Sequence, residues 1–196
     1  MLSCKNSNSD EVSSLPIKDS IPKSQSALDK IDVISMKSGY SKGKIKIYNS
    51  DGSIWKEFEY SDNFSDPMIM PYAQKAENSI LIFRVTGSDN GMYSIVVNEN
   101  SGVRKYMKPN DNFFNFQTWQ QNILTAFSVG FDNKKNPLKE NPSDTSKTTK
   151  FDTEQFYHPV SIEGDWLKVK DDNDNLNWIK WRDEKGSLII EIYYDA

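Results

Sequence analysis

From Ile31 to about Gly130, apolar and polar residues alternate in short runs separated by clusters of Asn, Asp, Ser and Gly. Lys44-Ile45-Lys46-Ile47-Tyr48 has the period of two expected of a half-buried strand, whose side chains point to its two faces in turn. Asn49-Ser50-Asp51-Gly52 supplies turn chemistry, and Ile54 to Tyr60 reads as the return strand. The pattern then recurs: strand Ser79 to Thr86, turn Gly87-Ser88-Asp89-Asn90-Gly91, strand Met92 to Val97, turn Asn98 to Gly102, strand Val103 to Met107. These hairpins share turn chemistry and do not amount to a true repeat. Together they predict an antiparallel β meander.

Two stretches interrupt it. Asp66-Pro67-Met68-Ile69-Met70-Pro71 carries two prolines, each lacking a ladder donor, and is expected at an edge or in a loop. The second has two readings. Asp111 or Asn115 caps a helix through Phe116, Trp119, Gln120, Ile123, Leu124 and Phe127, whose spacing gives one apolar face. Alternatively, Phe113 to Trp119 and Ile123 to Phe131 are two short strands. Towards the end, Trp166, Val169, Ile179 and Leu188-Ile189-Ile190 sit in short runs between Gly, Asn and Asp clusters, which predicts a small all-β barrel. The organisation expected is a tether over 1–30, an antiparallel β domain over 31–131 with at most one helix, and a small barrel over 132–196.

Composition sharpens this picture in three places. Residues 5–30 are polar with few large apolar groups, too little to offset the entropy of ordering them. The longest apolar runs, Ile80 to Val85 and Leu188 to Tyr194, fall far short of the ~20 residues of a spanning helix. Twenty-four basic against 28 acidic residues leave a net charge of −4, which argues against nucleic acid as a partner.

Catalytic chemistry is sparse. The chain holds one histidine, His158, and one cysteine, Cys4, so neither a multi-His metal site nor an intrachain disulfide is available. His158 precedes Pro159, which favours extended backbone and a structural place at a strand end. Asp171-Asp172-Asn173-Asp174-Asn175 has the oxygen ligands of a calcium loop, yet Leu176 stands where the EF-hand loop needs Gly and Arg182 where it needs Glu. A solvated hairpin loop is the better reading. No Gly-x-Ser-x-Gly, phosphate-cradling Gly-rich loop or His-Glu-x-x-His is present. No enzyme activity, metal or cofactor is therefore expected.

Two resemblances bear on compartment and fold. Met1-Leu2-Ser3-Cys4, followed by a polar tract, resembles the end of a bacterial lipoprotein signal, which implies lipid attachment at Cys4 and a place in the cell envelope, with the membrane met only through that anchor. The other reading of Cys4 is a free thiol near a polar terminus. Asn136, Leu138, Lys139, Pro142 and Ser143, then Gly164-Asp165-Trp166-Leu167-Lys168-Val169 and Trp178-Ile179-Lys180-Trp181, are similar to the motifs of bacterial SH3-like domains, over about residues 134–196. Pro137 is an insertion in the first motif, and Asn177 replaces the glycine usual before the last. The resemblance implies an SH3-like β-barrel with an aromatic-lined groove for peptides, often of the cell wall.

Aromatic residues crowd this end, and Tyr157, Trp166, Trp178, Trp181 and Tyr193 are the candidate ligand contacts. Trp178 and Trp181, three apart on a strand, point to opposite faces, so one should meet solvent unless another element covers it. The function expected is a non-enzymatic envelope module that binds a protein or a peptidoglycan peptide. The alternative is a periplasmic inhibitor or immunity-type protein that blocks a toxin or enzyme.

Overall fold

The computed structural model of the chain describes residue 1 and residues 30–39 and 43–195. Cys4 and the tract before residue 30 lie outside the described residues. Among the described residues the fold is mainly β and antiparallel, with one short α-helix.

The N-terminal part is a large sheet of β1 (Val33–Met36), β2 (Ile45–Tyr48), β3 (Ile54–Phe58), β4 (Ala73–Lys75), β5 (Ile80–Asp89), β6 (Met92–Asn98), β7 (Val103–Met107) and β8 (Phe114–Gln117). Its order is β3-β2-β7-β6-β5-β1-β8, with β4 paired to β5. The first half of β5 pairs with β1 and β4, and its second half with β6, across a register shift between Val85 and Gly87. That bulge lets one strand serve both halves of the sheet, which wrap a common core of Ile34, Ile45, Ile47, Leu81, Phe83, Ile95, Met107 and Phe114. The exposed edge β3 carries charge: Lys44 and Lys46 both reach Glu57.

The turns follow local chemistry. Asp51 accepts from both the backbone and the hydroxyl of Ser53, at 2.9 and 2.6 Å. Asn90 and Gly91 have φ of 49° and 73°, the two positive angles of a tight hairpin turn. The turn expected over five residues is thus confined to these two, and β5 runs on to Asp89. Asp66–Pro71 forms a loop joined to the sheet by a bridge from Met70 to Asn98, by the Asn98 side chain donating to Pro67 O, and by the ion pair of Asp66 with Lys56 on β3.

The open stretch resolves into parts of both readings. Phe114–Gln117 is a strand, and α1 (Trp119–Ile123) follows it. The cap is neither Asp111 nor Asn115: the Thr118 hydroxyl accepts from Gln121 N–H while the Gln121 side chain accepts from Thr118 N–H. This reciprocal pair holds the helix start in place. β9 (Ser128–Gly130) comes next.

The C-terminal part has β10 (His158–Glu163), β11 (Trp166–Lys170) and β12 (Leu176–Lys180) as one meander, and β13 (Glu191–Tyr193) paired with β9. Lys139 pairs with Trp178 at the free side of β12, Val129 N–H donates to Tyr157 O, and Ile189 N–H donates to Trp181 O. These links carry the pairing around a second core of Ile123, Val129, Leu138, Leu167, Val169, Ile179, Trp181 and Ile190. Two of these, Ile123 and Val129, come from α1 and β9.

The two parts are joined by polar contacts. Buried Asn122 accepts from Tyr194 Oη at 2.6 Å and donates to Gln117, which also accepts from Ser35 on β1. Asp195 pairs with Lys75 and accepts from Asn78. The chain end is thereby tied back onto β1, β4 and β8.

A candidate aromatic cleft

Asn136, Gly164 and Trp181 set the frame of the C-terminal part. The Asn136 side chain donates to Lys180 O at 2.7 Å and accepts from Lys180 N–H at 3.0 Å, acting as an extra strand rung. Gly164 turns the chain between β10 and β11 at φ 59°, and its carbonyl accepts from the Trp181 indole N–H at 3.0 Å. Trp181 is only 3% exposed. Expected as a ligand contact, it is instead a core residue with no surface to offer.

Alternation along β11 and β12 sends Leu167, Val169, Asn177 and Ile179 inward and Trp166, Lys168, Trp178 and Lys180 outward. On that outer face the register sets Trp166 opposite Lys180 and Lys168 opposite Trp178. Each lysine covers its indole, with ammonium-to-ring distances of 5.4 and 5.5 Å. Trp166 and Trp178 are half-buried, so the solvent-side indole of the Trp178/Trp181 pair is Trp178, partly roofed by Lys168.

Tyr157 and Tyr193 meet elsewhere. The segment 151–157 folds over β9 beside β13, and between them opens a cleft of about 350 Å³ lined by Phe131, Phe151, Phe156, Tyr157, Tyr193 and Asp195 among others. Its floor is a ring cluster. Phe151 stacks on Tyr157 with centroids 5.5 Å apart, and Phe131 meets both edge-on at 5.4 and 5.2 Å. The Tyr157 hydroxyl accepts from Asp152 N–H and donates to Asp152 O, fixing the loop to its own end. Burial pushes the Tyr157 hydroxyl pKa up.

The walls are exposed rings. Phe156 and Tyr193 are 52% and 47% exposed, high for large aromatic side chains in a folded core region. The Tyr193 hydroxyl donates to Glu191 at 2.5 Å, and this bond, ahead of burial, raises its pKa. Gly130 lets the Tyr193 ring come close, since a Cβ there would sit 3.0 Å from the ring and make it give way slightly. Phe156 is held from behind: its N–H donates to Asp172 at 2.9 Å, and its ring meets Phe127 edge-on at 5.3 Å.

His158 starts β10, as its place before Pro159 predicts. Its Nδ1 faces Phe127 O at 2.6 Å and its Nε2 faces Asp172 at 3.1 Å. Both are acceptors, and only the imidazolium donates to both at once. Neither ring nitrogen faces a hydroxyl or thiol, so the arrangement is a clamp between the α1–β9 segment and the β11–β12 loop. In that loop Asp171 accepts from Asn173 N–H, Asn175 N–H and the Asn175 side chain. Among the described residues no group of three or more His, Cys, Asp or Glu is placed to hold a metal ion.

Of the candidate contacts, then, Tyr157 and Tyr193 come together in the cleft, Trp166 and Trp178 share a separate face, and Trp181 is sealed. Phe131, Phe151, Phe156 and Gly130 are cleft residues the sequence reading passed over. The aromatic spacing of Phe151 and Phe156-Tyr157 was the available signal. Set against protein-family models, curated proteins and solved structures, the chain has no significant match.

Proposed function

We propose that the chain is a non-enzymatic binding module of the bacterial cell envelope, anchored by a lipid on Cys4, whose SH3-like C-terminal part grips a peptide of the cell wall or of a protein partner. The observation that carries this reading is the open aromatic cleft between 151–157, β9 and β13, with two half-exposed rings fixed by a hydrogen bond and a glycine. Rigid, exposed aromatic rings supply large contact area at small entropic cost, which is the usual makeup of a binding anchor. The motif residues also support the SH3-like reading, since Asn136, Gly164 and Trp181 occupy the pivots of the C-terminal pairing. The polar tract after Cys4 supports the anchor, because it would hold the cleft at a distance from the bilayer.

Retention of the full chain on purified peptidoglycan tests the cell-wall version. Binding above that of an unrelated acidic protein, reduced about fivefold or more by Phe156→Ser with Tyr193→Ser, is the expected result. Equal retention of the double variant would remove the cleft from the proposal, and no retention would remove the cell wall. Mass spectrometry of the protein from native membranes tests the anchor: an unacylated Cys4 refutes it.

A further inference from the structure

We infer that the cleft takes a cationic side chain, an alkylammonium such as that of lysine, presented on a peptide. This deepens the binding role proposed above and rests on it.

The argument is charge complementarity around an aromatic lining. The two segments that border the cleft, Phe151-Asp152-Thr153-Glu154-Gln155-Phe156-Tyr157 and Glu191-Ile192-Tyr193-Tyr194-Asp195, hold four carboxylates and neither lysine nor arginine. Of the four, Asp195 is among the lining residues, and Glu191 Oε2 lies 3.4 Å from where a Cβ on the lining residue Gly130 would sit. None of the residues lining the cleft is basic. Asp195 is already neutralised by Lys75. Asp152, Glu154 and Glu191 have no ion pair among the described residues. Glu191 is instead held beside the cleft by the Tyr193 hydroxyl.

Aromatic rings add to this. The faces of phenyl and phenol rings carry partial negative charge and attract an ammonium group within about 6 Å of the ring centre. Phe131, Phe151, Phe156, Tyr157 and Tyr193 border the same space. An apolar stem with a charged tip therefore finds both of its parts matched: methylenes against the rings, ammonium against ring faces and Glu191. An anionic group would find no cation among the lining residues, only the neutral hydroxyl and amide groups of Ser128, Thr153 and Gln155, and a purely aliphatic one would leave Glu191 unmatched. Elsewhere in the molecule, cations already lie over rings, at Trp55, Trp166 and Trp178. Among the described residues no cation lies over the rings of the cleft.

Two probes of nearly one shape separate charge from shape: Nα-acetyl-lysine methylamide and Nα-acetyl-norleucine methylamide, titrated into the full chain and followed by heteronuclear NMR. The lysine amide is expected to shift the Gly130, Thr153, Gln155 and Phe156 amides and to bind about tenfold or more tightly than the norleucine amide. Glu191→Gln, whose side-chain oxygen can still accept from the Tyr193 hydroxyl, is expected to weaken the lysine amide several-fold more than the norleucine amide, and the unchanged spectrum of the large sheet shows that the variant folds. Equal weakening of the two probes would overturn the charge contact. Equal binding of the two probes overturns the cationic specificity and leaves an apolar peptide cleft standing. Binding of neither probe overturns the cleft as a binding site along with it.

Discussion

Tyr193 lies across Gly130 so closely that a Cβ on Gly130 would sit 3.0 Å from the tyrosine Cε2 and 3.1 Å from its hydroxyl oxygen. The two residues belong to paired strands, with Glu191 directly opposite Gly130. The ring thus leans diagonally over the glycine to reach the Glu191 carboxylate, and this lean opens one wall of the cleft.

Gly130→Ala should therefore make the Tyr193 ring give way slightly and lengthen its bond to Glu191. The shift is expected to move the Tyr193 ring resonances at a cost of about 1 kcal/mol or less in urea unfolding, because the ring is half-exposed and free to yield. An unmoved ring would show that the glycine is not what positions it.

Trp178 and Trp181 should behave oppositely although they are three residues apart. Trp181→Phe leaves a void and removes the donor to Gly164 O, an expected loss of about 2 kcal/mol. Trp178→Phe, on the outer face, should change stability by about 0.5 kcal/mol or less. Acrylamide quenching of single-tryptophan variants checks the same contrast independently.

Asn136→Ala should cost about 2 kcal/mol, because both backbone groups of Lys180 lose a largely buried partner. Asn136→Asp should fail to rescue it. The carboxylate still accepts from Lys180 N–H but sets its second oxygen against the Lys180 carbonyl. Equal stability of Asn136→Asp and the parent would exclude the two-bond role.

Acid should release the back of the Phe156 wall. Donation from Phe156 N–H, and secondly from His158, holds the Asp172 carboxyl below its ordinary value of 3.8. A depressed folded pKa means the tie is fully present above that ordinary value and is lost as pH falls through the lower, folded one. The Phe156 amide resonance should titrate with a midpoint below 3.8, and Asp172→Asn should abolish that titration. A midpoint at or above 3.8 would contradict the hydrogen bond.

Tyr194→Phe tests the seam between the two parts. It removes the donor to buried Asn122, whose side chain also donates to Gln117, the acceptor of the Ser35 hydroxyl. The expected cost is about 1–2 kcal/mol in urea unfolding, and a neutral substitution would show that Asn122 finds water there.

Local chemistry made the hairpins legible: Asn49 to Gly52, Asn90-Gly91 and Asn98 to Gly102 each mark a turn between alternating strands. The short strands β1 and β4 were not legible, because Val33–Met36 is buried on both faces and shows no alternation, and Ala73–Lys75 holds three residues. The helix over Trp119–Ile123 was half legible, since its apolar spacing pointed to a helix but its cap, Thr118 with Gln121, was overlooked. For the site, the aromatic crowding near the end named Tyr157 and Tyr193 without showing that they meet.

By itself the sequence determined the mainly antiparallel β class, most turns and the opposed directions of Trp178 and Trp181, because period-two side-chain placement and turn preferences act over a few residues. The tertiary structure decided which of those indoles is sealed and how β9 finds β13 some sixty residues away. It also decided that Phe131, Phe151, Phe156, Tyr157 and Tyr193 border one cleft. Those outcomes depend on contacts between distant segments, where burial is set by what packs on a face and not by the residues of the face alone.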